Sequence, residues 1–517
     1  MSSKATTLNR RQFFASTMAG TVVLSTIPGV SYTKPLVSGK PKRHNVLFIM
    51  CDSMDGRVMG CMGDGAAHTP NLNRLAGEGV LFRHHYCNSP LCVPSRASAW
   101  SGLHTHKCEG WNNNKGLERE DRTFNSDLLA GGYLTQFIGK NDYLSGGHTV
   151  GARVGAWTRS SGVRLPMISG QKFEILKPEP DPRKVKEPDW KKKNECEKWL
   201  EEYAASDRKQ PFLLYCGLTF PHPSYRTSEY WRSRIDAKKI AVPPKDTEPW
   251  HPAVKYMKII KSANRDFTND LIIGVRQTYR AMVAEVDCIT GELIKKLEDL
   301  ELRDSTYVIF CSDHGDMQME HNLTHKQCLF EGAVHVPLII AGPGVRKGAV
   351  VNNLVSLVDL YPTLMDMASL PAPKGLDGRS LMPLLRGESD PGRPDWVLSQ
   401  YHGDYSDTGS FMLRQGDWKY IAWAGYEPQL FNLKDDPWEI SNCARQRPDV
   451  VKKMDTNLGE VVDVEATDAK VKAYDKASFR QWRSEQNEKD YWDFMKNLYR
   501  GFSDKDQRLI DEWIVKA

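Results

Sequence analysis

Four short runs of the chain are almost wholly apolar: Asn45–Cys51, Pro211–Cys216, Thr306–Cys311 and Val336–Ala341. None alternates apolar with polar residues, so none reads as a strand with one wet face. Each reads as a strand buried on both sides. Between them lie amphipathic stretches such as Tyr279 to Leu300, whose apolar positions recur at three and four residues. Buried strands separated by helices predict an α/β fold, a large mostly parallel sheet sandwiched by helices. In such a fold ligands gather at the carboxyl ends of the strands.

The residues that follow these runs are polar and coordinating. Asp52 follows the first, Pro221-His222-Pro223 comes shortly after the second, and Ser312-Asp313-His314-Gly315 closes the third. Asp52 and Asp313 offer oxygens to a hard divalent cation such as calcium or magnesium. His314 is a softer ligand and leaves manganese or another metal open. The ordinary alternative for a single Asp at a strand end is a helix cap or a turn.

A second feature is Cys92-Val-Pro-Ser-Arg96. A lone cysteine is ordinarily a small buried hydrophobe. Pro94, however, suits the first turn of a helix, where its missing N–H costs nothing, and Arg96 is expected in that same turn. A helix start with an added guanidinium favours an anion. The Cys92 side chain is thus expected beside an anion pocket.

The chain has 517 residues, enough for one large domain with a smaller appended one, or for two to three domains. Its net charge of +5 comes from interleaved basic and acidic residues, not a nucleic-acid stripe, and suits an anionic substrate. Arg10-Arg11 precedes an uncharged stretch from Ala15 to about Thr33, the pattern of a twin-arginine export signal. The alternative, a membrane anchor, is opposed by Gly20, Pro28 and Gly29, and no later stretch is apolar enough to span a bilayer. The odd count of 11 cysteines leaves at least one unpaired, and Cys92 is the candidate. Cys51, Cys216 and Cys311 sit in apolar runs and are expected to be reduced core residues.

Cys92-Val-Pro-Ser-Arg96 with Ser101-Gly102 resembles the signature of the sulfatase family in the alkaline-phosphatase-like superfamily. Asp52, Gly139-Lys140, Pro221-His222-Pro223, Ser312–Gly315, Lys326 and Leu430–Pro437 follow in the order that the family shows. The resemblance implies that Cys92 is oxidised to formylglycine by a formylglycine-generating enzyme, and that a metal ion, calcium or magnesium, is held by Asp52, residue 92, Asp313 and His314. It further implies Arg96 holding the aldehyde hydrate, Lys140 and Lys326 on sulfate oxygens, and His222, with Lys326 as rival, protonating the departing sugar oxygen. Asp52–Arg57, Trp100–His106, Trp111–Gly116, Ala156–Arg159 and Phe479–Trp482 are similar to a branch that removes the 2-O-sulfate of a terminal uronic acid. A sulfated carbohydrate is the substrate this implies. Phosphate mono- or diester hydrolysis, or glycan binding without turnover, are the alternative readings.

Two positions depart from the family pattern. Ser53 follows Asp52 where a second aspartate is usual, so either the ion has one fewer ligand or Asp55 takes the place. Asp142 stands two residues after Lys140 where a histidine is usual, which makes it a candidate elimination base. A uronate carboxylate calls for a further cation or donors, and Lys115, His148 and His402 are the candidates. Residues 1–33 are assigned to the signal, 42–354 to the catalytic domain, and 355–517 to a C-terminal subdomain with a small antiparallel sheet and helical tail. There, Val358–Leu364 reads as a helix with Pro in its first turn, and Met412–Arg414 with Trp418–Ile421 as a strand pair turning at Gly416. The aromatics Tyr491, Trp492, Phe494 and Tyr499 read as a packing face against the body or a second subunit.

Overall fold

Every residue of the first apolar run is buried, and the run forms strand β1 (Asn45–Cys51). The computed structural model describes residues 43–167, 171–207, 209–245 and 249–515. The expected export signal, residues 1–33, lies outside them. In chain order the other strands are β2 (Val80–Tyr86), β3 (Leu134–Gly139), β4 (Phe173–Leu176), β5 (Phe212–Gly217), β6 (Tyr225–Ser228) and β7 (Thr306–Ser312). They continue with β8 (Leu338–Ala341), β9 (Ala349–Ser356), β10 (Trp396–Tyr401), β11 (Ser410–Gln415), β12 (Trp418–Trp423) and β13 (Tyr426–Asn432).

Seven strands form the main sheet in the order β3-β5-β1-β7-β8-β2-β9. All its pairings are parallel except those of β8, which runs against both β7 and β2. The sheet is therefore mostly parallel, with one reversed strand. That strand starts at Leu338, two residues later than the apolar run, because Pro337 has no N–H for a ladder and Val336 donates to the His85 carbonyl.

The uninterrupted apolar character of β1 has a direct cause. Val46, Phe48 and Met50 point into a core shared with Trp100, Phe124 and Tyr215. Leu47, Ile49 and Cys51 point into a second core under the long Asn269–Asp299 helix, beside Val283 and Phe310. Each such side chain contributes roughly 1.5–3 kcal/mol by leaving water, so a polar residue on either face would be costly. All the cysteines are free, with Cys51, Cys216 and Cys311 buried.

The chain beyond the main sheet builds a four-stranded antiparallel sheet, β10-β11-β12-β13, covered by the Pro448–Gly459 helix through Met454 and Leu458. Its β11–β12 turn places Gly416 at φ +56, a left-handed conformation that glycine adopts without strain. The Leu360–Met367 helix carries Pro362 in its first turn and shares the core of the Cys92–Ser101 helix. The aromatic stripe packs on the body: Phe479, Tyr491 and Tyr499 bury Val154 and Trp157 of the Val150–Trp157 helix. Among the described residues, no helix is long and apolar enough to cross a membrane.

Candidate active site

Four neighbouring parallel strands end on one side of the sheet, and each delivers a polar residue there. β1 ends at Asp52, β7 at Asp313-His314, β3 at Lys140, and β5 leads to His222. The register pairs Cys51 with Ser312 and Gly139 with Gly217, so these ends are level. Gly139 lies at φ +91, and a Cβ there would stand 2.2 Å from the Gly217 carbonyl oxygen. Only glycine permits this close turn that aims Lys140 inward.

The Cys92–Ser101 helix faces these strand ends, and all its residues are buried. It begins at Cys92 itself, so Pro94 is in the first turn as expected, whereas Arg96 opens the second turn, on the Cys92 face. Asn113 Oδ1 accepts the Val93 N–H at 3.2 Å, satisfying one of the unpaired donors at the helix start. Ser95 Oγ donates to the Asp313 carbonyl and ties the helix to the end of β7. Gly102, at φ +68, ends the helix.

Asp52, Cys92, Asp313 and His314 come together here, with one ligand atom from each lying within 4.8 Å of all the others. Cys92 Sγ is 3.3 Å from His314 Nε2, and the same nitrogen is 3.6 Å from Asp52 Oδ1. Two buried carboxylates this close to one another need cations, and the chain supplies several. Arg96 forms a fully buried ion pair with Asp313, with Nη2 at 2.8 Å and Nε at 2.9 Å from Oδ2. The Lys140 ammonium contacts Asp52 Oδ2. The donor set fits a divalent cation, since two carboxylates, an imidazole and the residue 92 side chain converge on one buried point.

The proton states follow from these neighbours. Burial pushes the Asp52 carboxyl upward, but Lys140, His222, Lys326 and His314 together hold it well below the usual range. Burial and Asp52 raise the Cys92 thiol, yet Lys140, Lys326 and His314 bring it down to about 7. Burial, reinforced by Lys326, lowers His222 to about 3. Its Nδ1 is 2.5 Å from the Pro223 carbonyl, which only accepts, so Nδ1 carries the proton and the neutral ring leaves Nε2 as an acceptor.

Arg96 does not turn its donors toward an open anion site, as the sequence led us to expect. They are spent on Asp313, the Lys140 carbonyl at 2.9 Å and the Tyr215 hydroxyl at 2.7 Å. Its position in the second turn, against the sheet rather than at the helix tip, is the reason.

Asp55 lies apart from the cluster. Its carboxylate accepts from Arg57 Nε and Nη2 and from Gln318 Nε2, at 2.8–3.2 Å. Ser53 instead faces the cluster, its hydroxyl 2.9 Å from Asp52 Oδ1 and 3.4 Å from His314 Nδ1. Asp142 is 3.5 Å from Lys140 Nζ and 3.4 Å from His148 Nε2. Burial opposes its charge, but His148 and Lys140 hold it below the usual carboxylate range. His148 is thereby linked to the site mouth. Lys115 pairs with Glu118 at 2.5 Å, and His402 is buried against Trp111, Phe411 and Gln400. Neither of these two touches the cluster.

Ser53, Asn113 and Tyr215 are site residues that sequence reasoning missed. Tyr215 carries a hydroxyl in the middle of an otherwise apolar strand, a signal that such a strand must meet a polar partner.

Comparison with known proteins gives a consistent picture. The family model described as Sulfatase matches residues 44–370, and one described as N-sulphoglucosamine sulphohydrolase, C-terminal, matches residues 319–463. The chain is 36% identical to arylsulfatase K of Xenopus laevis over 523 residues, covering 95% of this chain and 97% of that protein. Among solved structures, the phosphonate monoester hydrolase of Agrobacterium radiobacter has a TM-score of 0.69 at 24% identity, covering 81% of this chain and 95% of that one. A 2-O GAG sulfatase has a TM-score of 0.63 at 23% identity, covering 85% and 94%. At that identity both report the fold alone, an alkaline-phosphatase-like architecture.

Proposed function

The chain belongs to the sulfatase family and hydrolyses sulfate esters, and from that premise we propose that it acts, after export, on the 2-O-sulfate of a uronic acid in glycosaminoglycan or related fragments. The observation that carries the catalytic part is the convergence of Asp52, Cys92, Asp313 and His314, ringed by Lys140, His222 and Lys326. The 2-O-uronate assignment is supported by the stretches resembling arylsulfatase K and by the name of the solved 2-O GAG sulfatase. The export assignment rests on the twin-arginine pattern alone.

Asp52, Asp313, His314 and residue 92 would hold the divalent cation, calcium or magnesium, which when bound neutralises sulfate oxygens and acidifies a coordinated hydroxyl. Formylglycine, if made from Cys92, would supply as its hydrate a nucleophilic hydroxyl for sulfur and a second hydroxyl through which the sulfate could be released. The rest is done by ordinary side chains. Lys140 and Lys326 bind sulfate oxygens and offset the charge that grows there. Arg96 works through its partners, fixing the Asp313 carboxylate and the Lys140 carbonyl.

The departing sugar oxygen needs a proton, because an alkoxide is a poor leaving group. Neutral His222 holds none on Nε2 until the negatively charged ester enters and raises its affinity. Lys326 is the rival donor. Asp142, ionised through the working range, is a weak base, and His148 at 3.4 Å is positioned to take a proton onward.

The test is sulfate release from glycosaminoglycan disaccharides that differ only in sulfate position. A terminal 2-O-sulfated uronide is expected to turn over with the highest kcat/KM. Preference for a 6-O- or N-sulfate would overturn the sugar assignment. Faster turnover of matched phosphate esters would favour the phosphohydrolase reading.

A further inference from the structure

Lys326 sits on a loop that is unfavourable by itself. Between positions 318 and 327, six non-glycine residues adopt left-handed backbone: Gln318, Met319, His321, Asn322, His325 and Gln327, with φ from +44 to +73. Such residues are uncommon even singly, because the Cβ crowds the backbone there. Something must hold the loop in this shape.

The most direct hold on the Lys326 backbone is a second lysine. Lys261 caps the Pro252–Ile260 helix and is fully buried. Its ammonium donates to the carbonyls of Thr324 at 3.0 Å and Lys326 at 2.5 Å, and to Gln327 Oε1 at 2.7 Å. Three donors meet three acceptors, and among the described residues no carboxylate is within ion-pair distance. The Tyr405 ring lies 5.3 Å away on another side. Lys258, one turn earlier, donates to the His321 carbonyl at 2.5 Å. A buried cation held mainly by backbone carbonyls is costly to desolvate and gives little as an ion pair. What it does give is a rigid fix on the backbone atoms flanking Lys326.

We propose that Lys261 is a positioning residue that sets the Lys326 ammonium over the sulfate site by clamping the carbonyls of residues 324 and 326. The inference rests on the reading of Lys326 as a group acting on the sulfate ester. Among the described residues, the contacts of the Lys261 ammonium are to this loop and the Tyr405 ring, not to Asp52, Cys92, Asp313 or His314. A misplacement of about 1 Å in a group that contacts the reacting atoms can cost about 100-fold in rate.

The experiment is a double-mutant cycle with Lys261→Met, Lys326→Ala and the pair, in protein whose residue 92 aldehyde content is equal. Substrates are a sugar sulfate and an activated aryl sulfate. The expected result is a loss of about 10–100-fold in kcat/KM for Lys261→Met on the sugar sulfate, and nearly no further loss once Lys326 is Ala. The loss is expected to shrink on the aryl sulfate if Lys326 is the proton donor, and to persist if it only binds sulfate. A structural role would lower both substrates and both backgrounds alike. Additive losses, or a fully active Lys261→Met, would overturn the inference while leaving Lys326 in its role. An unimpaired Lys326→Ala would overturn both. Should Lys261→Met fail to fold, Gln327→Leu removes one acceptor, and the same cycle is read for it.

Discussion

Replacing Asp55 by Asn separates the two ways in which this site can depart from a paired-aspartate pattern. If Asp55 were a metal ligand, the change would weaken ion binding as severely as a change at Asp52. In the structure it does something else. Asp55 is 1% exposed and accepts three bonds from the Arg57 side chain, one from the Arg57 N–H and one from Gln318. An amide in its place presents an NH2 group to at least one of these donors, losing one or two charge-assisted bonds. Glu320, 2.8 Å from the same Arg57 nitrogen, offsets part of that loss. The net cost is about 2–3 kcal/mol. For a chain of this size the unfolding entropy is about 1 kcal/mol per degree, so Tm falls by about 2–3 °C. Calcium affinity, titrated calorimetrically into metal-stripped protein, changes by less than about threefold, whereas Asp52→Asn costs at least the ~100-fold that even an outer partner can cost. A large affinity loss in Asp55→Asn with unchanged Tm would refute the reasoning.

Two further outcomes follow from buried groups. Burial raises Glu285 from 4.5 to about 8, against bonds from Lys186 and Trp190. Its folded form holds a proton that the unfolded chain loses near 4.5, so stability falls as pH rises from about 4.5 to 8 and stays low above it. Glu285→Gln removes this dependence, and its Tm above pH 8.5 is expected to exceed wild type by about 3–5 °C; equal Tm values across pH 6 to 9 would contradict the assignment. His222→Ala is expected to lower kcat on a sugar sulfate by about 100-fold or more, with a much smaller effect on an activated aryl sulfate that leaves unprotonated. Equal losses on both would assign the proton to Lys326.

Some of this architecture was legible because burial writes itself into composition. β1 and β7 are continuous apolar runs since both faces of the sheet are covered, and the residues that follow them had to be the polar ones. The direction of β8 was not legible, because a buried run reads the same parallel or antiparallel. β2 escaped notice because Arg83 and His84 interrupt its apolar pattern where the sheet face opens. At the site, Asp52, Asp313 and His314 are legible from type and position at strand ends, and Cys92 from the family signature; the structure brings the four together. Asp55 was left open because its fate depends on Arg57 and Gln318, the second far away in sequence. Lys261 gave no signal at all, since a lysine at a helix end is ordinarily solvated, and only the fold shows which carbonyls it meets.

The central claim is the nucleophile, and the most direct test is the mass of the tryptic peptide His84–Arg96 from native protein. That peptide also contains Cys87, a buried free thiol, so fragmentation must assign any change to one of the two positions. The account predicts an aldehyde at residue 92 and an intact thiol at Cys87, with turnover proportional to aldehyde content across preparations. Full turnover from protein whose residue 92 is entirely thiol would contradict it.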